Sequence, residues 1–307
     1  MKKQILVCLS DSPTSSEALS YVAHLFAGRD EVELTLYHCV TGATAAFPRP
    51  EDQRHSLTPD QPVSQRLQKG EILLERARQK LVRFGIVEQR IKLCVQTGDN
   101  TARMIHQFGN QQLVDAIVVA RRGVGIVGGL LLGSVSSALF DSCRSIPLWV
   151  IDGTIESNRF LVPVDGTANS LMAIDHLAHI FSGRADARFF LFHVRNLLSS
   201  PPVCRPEHFY DRWGKQWCDS HLSGTGCMFS GPTDLLVEAG IVREAIVTLP
   251  EPMAIEESSA IIRSAKKHGC GTIVIGRRPQ DEVKSIFGGV SKRTILQTEN
   301  LALWVIG

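Results

Sequence analysis

The stretch that decides the fold reads Ala116-Ile117-Val118-Val119-Ala120-Arg121-Arg122-Gly123, then nine residues that include Gly125, Gly128 and Gly129, then Gly133-Ser134-Val135-Ser136. Its first five residues form a continuous apolar run with the length of a buried strand. A glycine-rich loop follows, and Ser134 opens a short helix. A strand that runs through a loop into a helix is the unit of a parallel α/β sheet. The residues upstream extend the same alternation. Residues 4–9 are a short apolar run. Ser12 and Pro13 read as the N-cap and first turn of a helix whose apolar positions are Ala18, Leu19, Val22, Leu25 and Phe26, and Gly28 ends it. Residues 32–40 are a second strand, and residues 41–62, with four prolines, a long loop. Residues 64–84 are an amphipathic helix stopped by Gly85. Residues 90–96 are a third strand, 101–110 a helix, 116–120 the fourth strand and 148–151 the last. Strands separated by helices imply a parallel sheet covered on both faces, with ligands at the carboxyl ends of the strands.

The chain then repeats itself. At a spacing of 155 residues, Ala23-His24-Leu25-Phe26-Ala27-Gly28-Arg29 matches Ala178-His179-Ile180-Phe181-Ser182-Gly183-Arg184, and His38 matches His193. At the same spacing Gly85-Ile86-Val87 matches Gly240-Ile241-Val242, and Leu148-Trp149-Val150-Ile151 matches Leu303-Trp304-Val305-Ile306. One offset that aligns the start, middle and end of both halves identifies a tandem duplication. The joint is the polar stretch 152–158, giving domains at 1–152 and 158–307. The second half carries an insert-like segment at 196–233. The expected fold class is α/β, two repeats of a doubly wound, mostly parallel five-stranded sheet of Rossmann-like type.

The glycine loop carries the chemistry. Glycines let a backbone approach phosphate oxygens, a helix start presents unpaired N–H groups, and serine hydroxyls add donors. Arg121 and Arg122 could add mobile positive charge. Two readings stand on these residues: an anion site, or glycines that only shape a surface loop.

Composition narrows the classes. The 307 residues are 44% apolar and 21% charged, and 33 Lys+Arg against 31 Asp+Glu leave a net charge of +2. That balance gives no broad footprint for nucleic acid or anionic membrane. The most apolar run, residues 126–132, is interrupted by glycines and too short to span a bilayer. The apolar run after Lys2 and Lys3 is too short for a signal peptide. The eight cysteines show no Cys-x-x-Cys pair and read as reduced core residues of a cytoplasmic protein.

With these residues in view, each half resembles a universal stress protein domain. That family carries Gly-x-x-Gly, nine residues, then Gly-Ser/Thr after the fourth strand, and its first strand ends in a Val-Asp-Gly-Ser/Thr-like turn. The second copy's Phe160-Leu161-Val162-Pro163-Val164-Asp165-Gly166-Thr167-Ala168-Asn169-Ser170 matches that opening. The resemblance implies an adenine nucleotide alpha hydrolase-like fold and a cytoplasmic, regulatory or protective stress role. It also implies an adenine nucleotide, ATP with Mg²⁺, as ligand. Carried onto the first copy, Ala120, Gly123, Gly133, Ser134, Val135 and Ser136 would hold phosphates with Arg122 assisting. Ser10, Asp11 and the main chain at Val40 would line the nucleoside. The weaker candidates of the second copy are Asp165, Gly276, Gly288, Gly289 and Ser291.

Both copies depart from the pattern. Ala120 replaces the first signature glycine, and Ser10 replaces the nucleoside-facing Asp. In the second copy the loop is one residue shorter and carries Pro279, Asp281 and Glu282. Proline removes a donor, and carboxylates repel phosphate. Two further functions therefore stay in play: a nucleotide-free interaction scaffold with degenerate pockets, and a weak ATP phosphohydrolase. No triad or paired-carboxylate constellation argues for dedicated catalysis. By the same resemblance the last strands, 148–151 and 303–306, would pair antiparallel within the chain, placing Trp149 and Trp304 near that seam; a homodimer is the alternative assembly.

Gly123, Gly125 and Gly128 match Gly-x-Gly-x-x-Gly, but the loop follows the fourth strand and Asp141 falls on a helix rather than at a strand end, which disfavours NAD. Cys204, His208, Cys218, His221 and Cys227 lack the tight paired spacing of zinc ligands, so the segment reads as a helix that packs Trp213 and Trp217, followed by a glycine turn. His38 and His193 read as strand-end packing, and His24 and His179 as structural helix-end residues.

Overall fold

The computed structural model describes residues 2–41, 62–121, 132–196, 204–223, 227–277 and 289–307. Packing divides the chain into two compact units that change over between Ile151 and Asp152.

The first unit contains β1 (Lys3–Cys8), α1 (Ser15–Phe26), β2 (Val32–Thr41), α2 (Val63–Arg83), β3 (Ile91–Gly98), α3 (Thr101–Gln111), β4 (Ala116–Ala120), α4 (Ser134–Ser142) and β5 (Leu148–Ile151). Its strands lie in the order β3-β2-β1-β4-β5, and every neighbouring pair is parallel. The chain winds outward from β1 to β3, then returns to β4 and winds the other way. Right-handed crossovers therefore set α1 and α2 on one face and α3 and α4 on the other; α1 packs on α2, and α3 on α4. Central strands are apolar on both sides: Ile117, Val118 and Val119 of β4 and Leu6 and Val7 of β1 are all buried. Trp149 of β5 is fully buried, its ring centroid 6.3 Å from that of Phe26 on α1. Burying a side chain of that size contributes roughly 2–3 kcal/mol.

The second unit contains β6 (Arg159–Pro163), α5 (Ala168–Phe181), β7 (Arg188–Phe192), β8 (Arg195–Asn196), a 3₁₀ turn at Pro206–Phe209, α6 (Tyr210–Trp213), α7 (Lys215–His221) and α8 (Cys227–Glu238). It continues with β9 (Ile246–Thr248), β10 (Met253–Ala254), α9 (Glu257–Lys267), β11 (Thr272–Gly276), α10 (Val290–Gln297) and β12 (Ala302–Ile306). The order β12-β11-β6-β7-β9 is again parallel throughout and matches that of the first unit. Strands β8 and β10 form a separate two-stranded parallel pair. Its core is richer in aromatics: Phe160 packs against Phe181, Phe189 and Trp304 at centroid distances of 4.8, 5.7 and 5.5 Å. Where β3 runs for eight residues, β9 stops after three. Pro250 and Pro252 follow it, and proline cannot donate to a ladder.

The duplication extends to single bonds. Helices α1 and α5 both run out at glycines in the left-handed region, Gly28 at φ 70° and Gly183 at φ 71°, a conformation that favours glycine. One expected boundary moves. Ser12 does not cap α1; the helix starts three residues later, at Ser15, and residues 12–14 form a turn. The long loop expected at 41–62 lies almost wholly outside the described residues, as do Gly123, Arg122 and most of the glycine loop.

Candidate nucleotide site

In each unit the strand order reverses between two central strands, β1 and β4 in the first and β6 and β11 in the second. A crevice opens at such a switch point beyond the carboxyl ends of the strands. In the first unit, Cys8 of β1 pairs with Val119 of β4, so Ala120 and, one residue beyond its level, Ser10 lie at the same carboxyl end of the sheet. On the other flank the Leu9 N–H donates to the Tyr37 carbonyl at 2.9 Å, which brings the end of β2 and the buried Val40 to the same edge.

The turn after β1 is held by hydroxyls. Ser15 Oγ donates to the Ser10 carbonyl at 2.8 Å and accepts the Ser10 N–H at 3.0 Å. Ser10 Oγ accepts the Ser12 N–H at 3.4 Å. Asp11 stands exposed at the tip. The second unit builds the same turn with a carboxylate. Asp165 Oδ1 accepts the Thr167 N–H at 3.1 Å and the Thr167 hydroxyl at 2.6 Å. Thr167 in turn caps α5 by accepting the Ser170 N–H at 3.3 Å. Ser10 therefore does stand where Asp165 stands, and each organises its own turn.

Ser15 escaped the sequence reading, and Ser170 entered it only as the last residue of the second copy's matching opening. Their signal was the 155-residue spacing, which makes them equivalent. The histidines at the ends of β2 and β7 are also equivalent. His38 Nδ1 lies 2.9 Å from the Leu9 carbonyl, and His193 Nδ1 lies 2.7 Å from the Val164 carbonyl. Each ring donates from Nδ1 to hold the end of the central strand, a packing role. His193 Nε2 is buried with no hydrogen-bond partner among the described residues.

At the head of α4, Gly133 is the N-cap and no side chain caps the helix. The Ser137 N–H returns to the Gly133 carbonyl at 2.8 Å. The amides of Ser134, Val135 and Ser136 precede it and have no intrahelical acceptor. Ser134 is exposed, Val135 partly so. Ser136 is buried, and its hydroxyl donates to the Ala120 carbonyl at 3.1 Å, which ties the helix head to the end of β4. Its hydroxyl proton is thus engaged within the protein. Arg121 is a correction. It is 5% exposed, so it is a packed side chain and not a mobile surface cation. Its counterpart Arg277 is equally buried, and both donate their main-chain N–H to the neighbouring strand at 2.7 Å, to Ile151 and Ile306 respectively. Arg122, Gly123 and Gly288 lie outside the described residues.

Gly276 has a packing reason to be glycine. A Cβ built there would fall well inside contact distance of the Asn169 carbonyl and 2.8 Å from the Ser170 nitrogen. The first turn of α5 thus presses on the end of β11. Ala120 carries its Cβ, and α1 starts later in its own repeat, at Ser15 against Ala168 for α5. Gly289 caps α10 without a side-chain cap, and Ser291 is buried near its head.

The cysteine reading needs a second correction. Cys204 and Cys227 form a disulfide across a sequence separation of 23. They bracket the insert of the second repeat rather than sit in the core, so apolar context did not govern them. The other six are outside any disulfide; Cys143, Cys218 and Cys270 are buried. Burial pushes the Cys270 thiol up to about 12 and raises Cys8, Cys39, Cys94 and Cys218. No grouping of His, Cys, Asp and Glu able to hold a metal occurs among the described residues. The aromatic reading of the insert is also refined: Phe209, Cys218 and Leu222 make its buried side, while the half-exposed Trp217 donates its indole N–H to Glu238 at 3.0 and 3.1 Å. A separate groove of about 730 Å³ runs between α2 and the edge strand β3, lined by Glu71, Ile72, Arg76, Leu93 and Val95. It is not at the switch point.

The sequence model of the universal stress protein family matches residues 1–152. Through that half, the chain belongs to the universal stress protein family. Over its full length the fold is similar to that of a universal stress protein from Archaeoglobus fulgidus, with a TM-score of 0.62 at 15% identity over 99% of this chain and 95% of that one. A protein of unknown function from Pseudomonas aeruginosa PAO1 is similar at a TM-score of 0.56, with 15% identity over 99% of this chain and 92% of that one. No curated protein matches the chain in sequence. At such identities the likeness speaks for the fold: both units carry the doubly wound sheet of universal stress proteins. No helix among the described residues is long and apolar enough to cross a membrane.

Proposed function

We propose that this universal stress protein consists of two such domains, 1–152 and 158–307, and binds an adenine nucleotide, ATP with Mg²⁺, in the first. The observation that carries this reading is the uncapped head of α4 standing beside the end of β4, at the point where strand order reverses. Unpaired amides and the positive end of a helix dipole favour a polyphosphate there. The amides of Ser134, Val135 and Ser136 would hold phosphate oxygens, joined by the exposed Ser134 hydroxyl, with Gly123 and Arg122 on the loop side. Ser10 and the main chain at Val40 would border the nucleoside. Replacing a carboxylate by Ser10 keeps the turn while removing a negative charge from the crevice. Bound ATP would supply a triphosphate whose state the protein reports, in a cytoplasmic regulatory or protective role.

A second reading has its own support for the second domain, that of a nucleotide-free interaction half. There the first turn of α5 presses on Gly276, and the insert lies against the partly exposed turn at Gly166.

Calorimetric titration with Mg²⁺–ATP tests the proposal. One site per chain is expected, lost in Ser134→Asp, which sets a carboxylate among the phosphate donors. No heat at millimolar nucleotide would leave only the scaffold reading. Phosphate release above background, abolished by the same substitution, would add hydrolysis.

A further inference from the structure

The insert of the second repeat ends on a disulfide, and its position matters. A Cβ built on Gly166 would lie 3.5 Å from Cys204 Sγ and 3.9 Å from Met228 Sδ. Gly166 sits between Asp165 and Thr167, so one sulfur of the bridge lies against the turn at the end of β6 and covers it in part. The equivalent residue of the first repeat is Asp11, which is exposed. The positions equivalent to Cys204 and Cys227 are Arg49 and Ile72, so the first repeat has no such bridge.

We propose that Cys204–Cys227 is a redox-operated clasp: oxidised, it holds the insert over the turn 165–167 of the second repeat, and reduction by a dithiol uncovers that turn. Both cysteines are partly exposed, so a reductant can reach them. The insert has other anchors. Arg212 pairs with Asp175 of α5 at 2.8 Å, Trp217 bonds Glu238 of α8, and Leu222 packs against Gly231. Those contacts do not pass through sulfur, so breaking the bridge frees the Cys204 end while α6 and α7 stay docked. The remaining six cysteines are thiols, and in a reducing compartment a single disulfide of this kind is a redox-sensing one rather than a permanent staple. This last step rests on the cytoplasmic placement proposed above; the geometry does not.

The exchange is balanced. A thiolate of the dithiol attacks one sulfur of the bridge, the S–S bond breaks, and the other cysteine leaves as a thiolate. The second thiolate of the reductant attacks the mixed disulfide and releases the first cysteine. The reductant ends as a cyclic disulfide, having given two electrons, and the two cysteines take up two protons.

The test uses the full chain with dithiothreitol as the dithiol. Iodoacetamide labelling, read by mass spectrometry, is expected to spare Cys204 and Cys227 before reduction and to modify both afterwards, ahead of the buried Cys143, Cys218 and Cys270. Hydrogen exchange at residues 165–170 is expected to rise about tenfold or more on reduction, with α7 and α8 unchanged. The double variant Cys204→Ser/Cys227→Ser should show the raised exchange without reductant. Labelling of both cysteines in the untreated protein would overturn the clasp. So would unchanged exchange at 165–170 after reduction, or loss of protection across the whole second unit, which would make the bridge a structural staple. Mg²⁺–ATP titration of the same samples reports on the first repeat alone and leaves this result independent.

Discussion

The turn after β1 and the turn after β6 are the same device built twice and left in different surroundings. In both, a histidine Nδ1 holds the last carbonyl of the central strand, and a serine five residues beyond the turn's first position ties the helix start back to it. The differences lie around that frame. The first turn uses the Ser10 hydroxyl, has Asp11 exposed, and faces an alanine at the end of β4. The second uses the Asp165 carboxylate, is partly covered by Cys204, and faces a glycine on which a helix presses. The shared bonds build a scaffold. The copies differ in the side chains around it.

The substitutions that break this comparison can be ranked. Gly276→Ala sets a methyl against the backbone of Asn169 and should destabilise the second unit by about 2–3 kcal/mol. The reverse change, Ala120→Gly, should cost the first unit under about 1 kcal/mol, the backbone-entropy cost of glycine in a strand. Hydrogen exchange resolved by unit reads both, because a two-unit chain has no single unfolding free energy. Equal losses in both units would remove the packing distinction.

Asp165→Ala comes next. It deletes two hydrogen bonds to Thr167 and loosens the cap of α5, with an expected loss of about 1–2 kcal/mol in the second unit. Ser10→Ala should cost less, about 0.5–1 kcal/mol, because its hydroxyl's contacts with the Ser12 N–H at 3.4 Å and Ser15 Oγ at 3.3 Å are both long. A larger loss at Ser10 than at Asp165 would contradict the assignment of roles to the two turns.

The frame was legible in the sequence and the surroundings were not. The apolar run 116–120 and the helical spacing before Gly28 gave strand and helix because burial on one or both faces imposes a period that short windows reveal. The repeat fixed the rest by analogy. The start of α1 was misplaced because Ser12-Pro13 is a good local helix signal. The long-range bonds of Ser15 to Ser10 hold those residues as a turn instead, and no local pattern carries them. The burial of Arg121, the disulfide and the press of α5 on Gly276 are likewise products of tertiary packing. Of the candidate site, Ser10, Ala120, Val40 and the α4 head do meet at one sheet edge. Ser136 came out as a fastening whose hydroxyl proton is already committed.

The smallest effect concerns a carboxylate peculiar to the first repeat. Glu33 accepts from Lys2 Nζ at 2.7 Å, Gln4 Nε2 at 3.0 Å and Lys92 Nζ at 3.2 Å. These bonds, that of Lys2 first, lower its pKa from 4.5 to about 2. A lowered folded-state pKa stabilises above the unfolded value, and the contribution fades as the pH falls from 4.5 towards 2. The cations are exposed, so the whole effect is under about 1 kcal/mol. Glu33→Gln should flatten the acid limb of the first unit's stability between those pH values and leave the second unit unchanged.

The most direct measurement is a crystal structure of the full chain grown with Mg²⁺–ATP. The account predicts density for a nucleotide in the first repeat, its phosphates on the amides of residues 134–136 and its nucleoside beside Ser10 and Val40. Density in the second repeat alone, or a first-repeat crevice filled by the protein's own side chains, would contradict it.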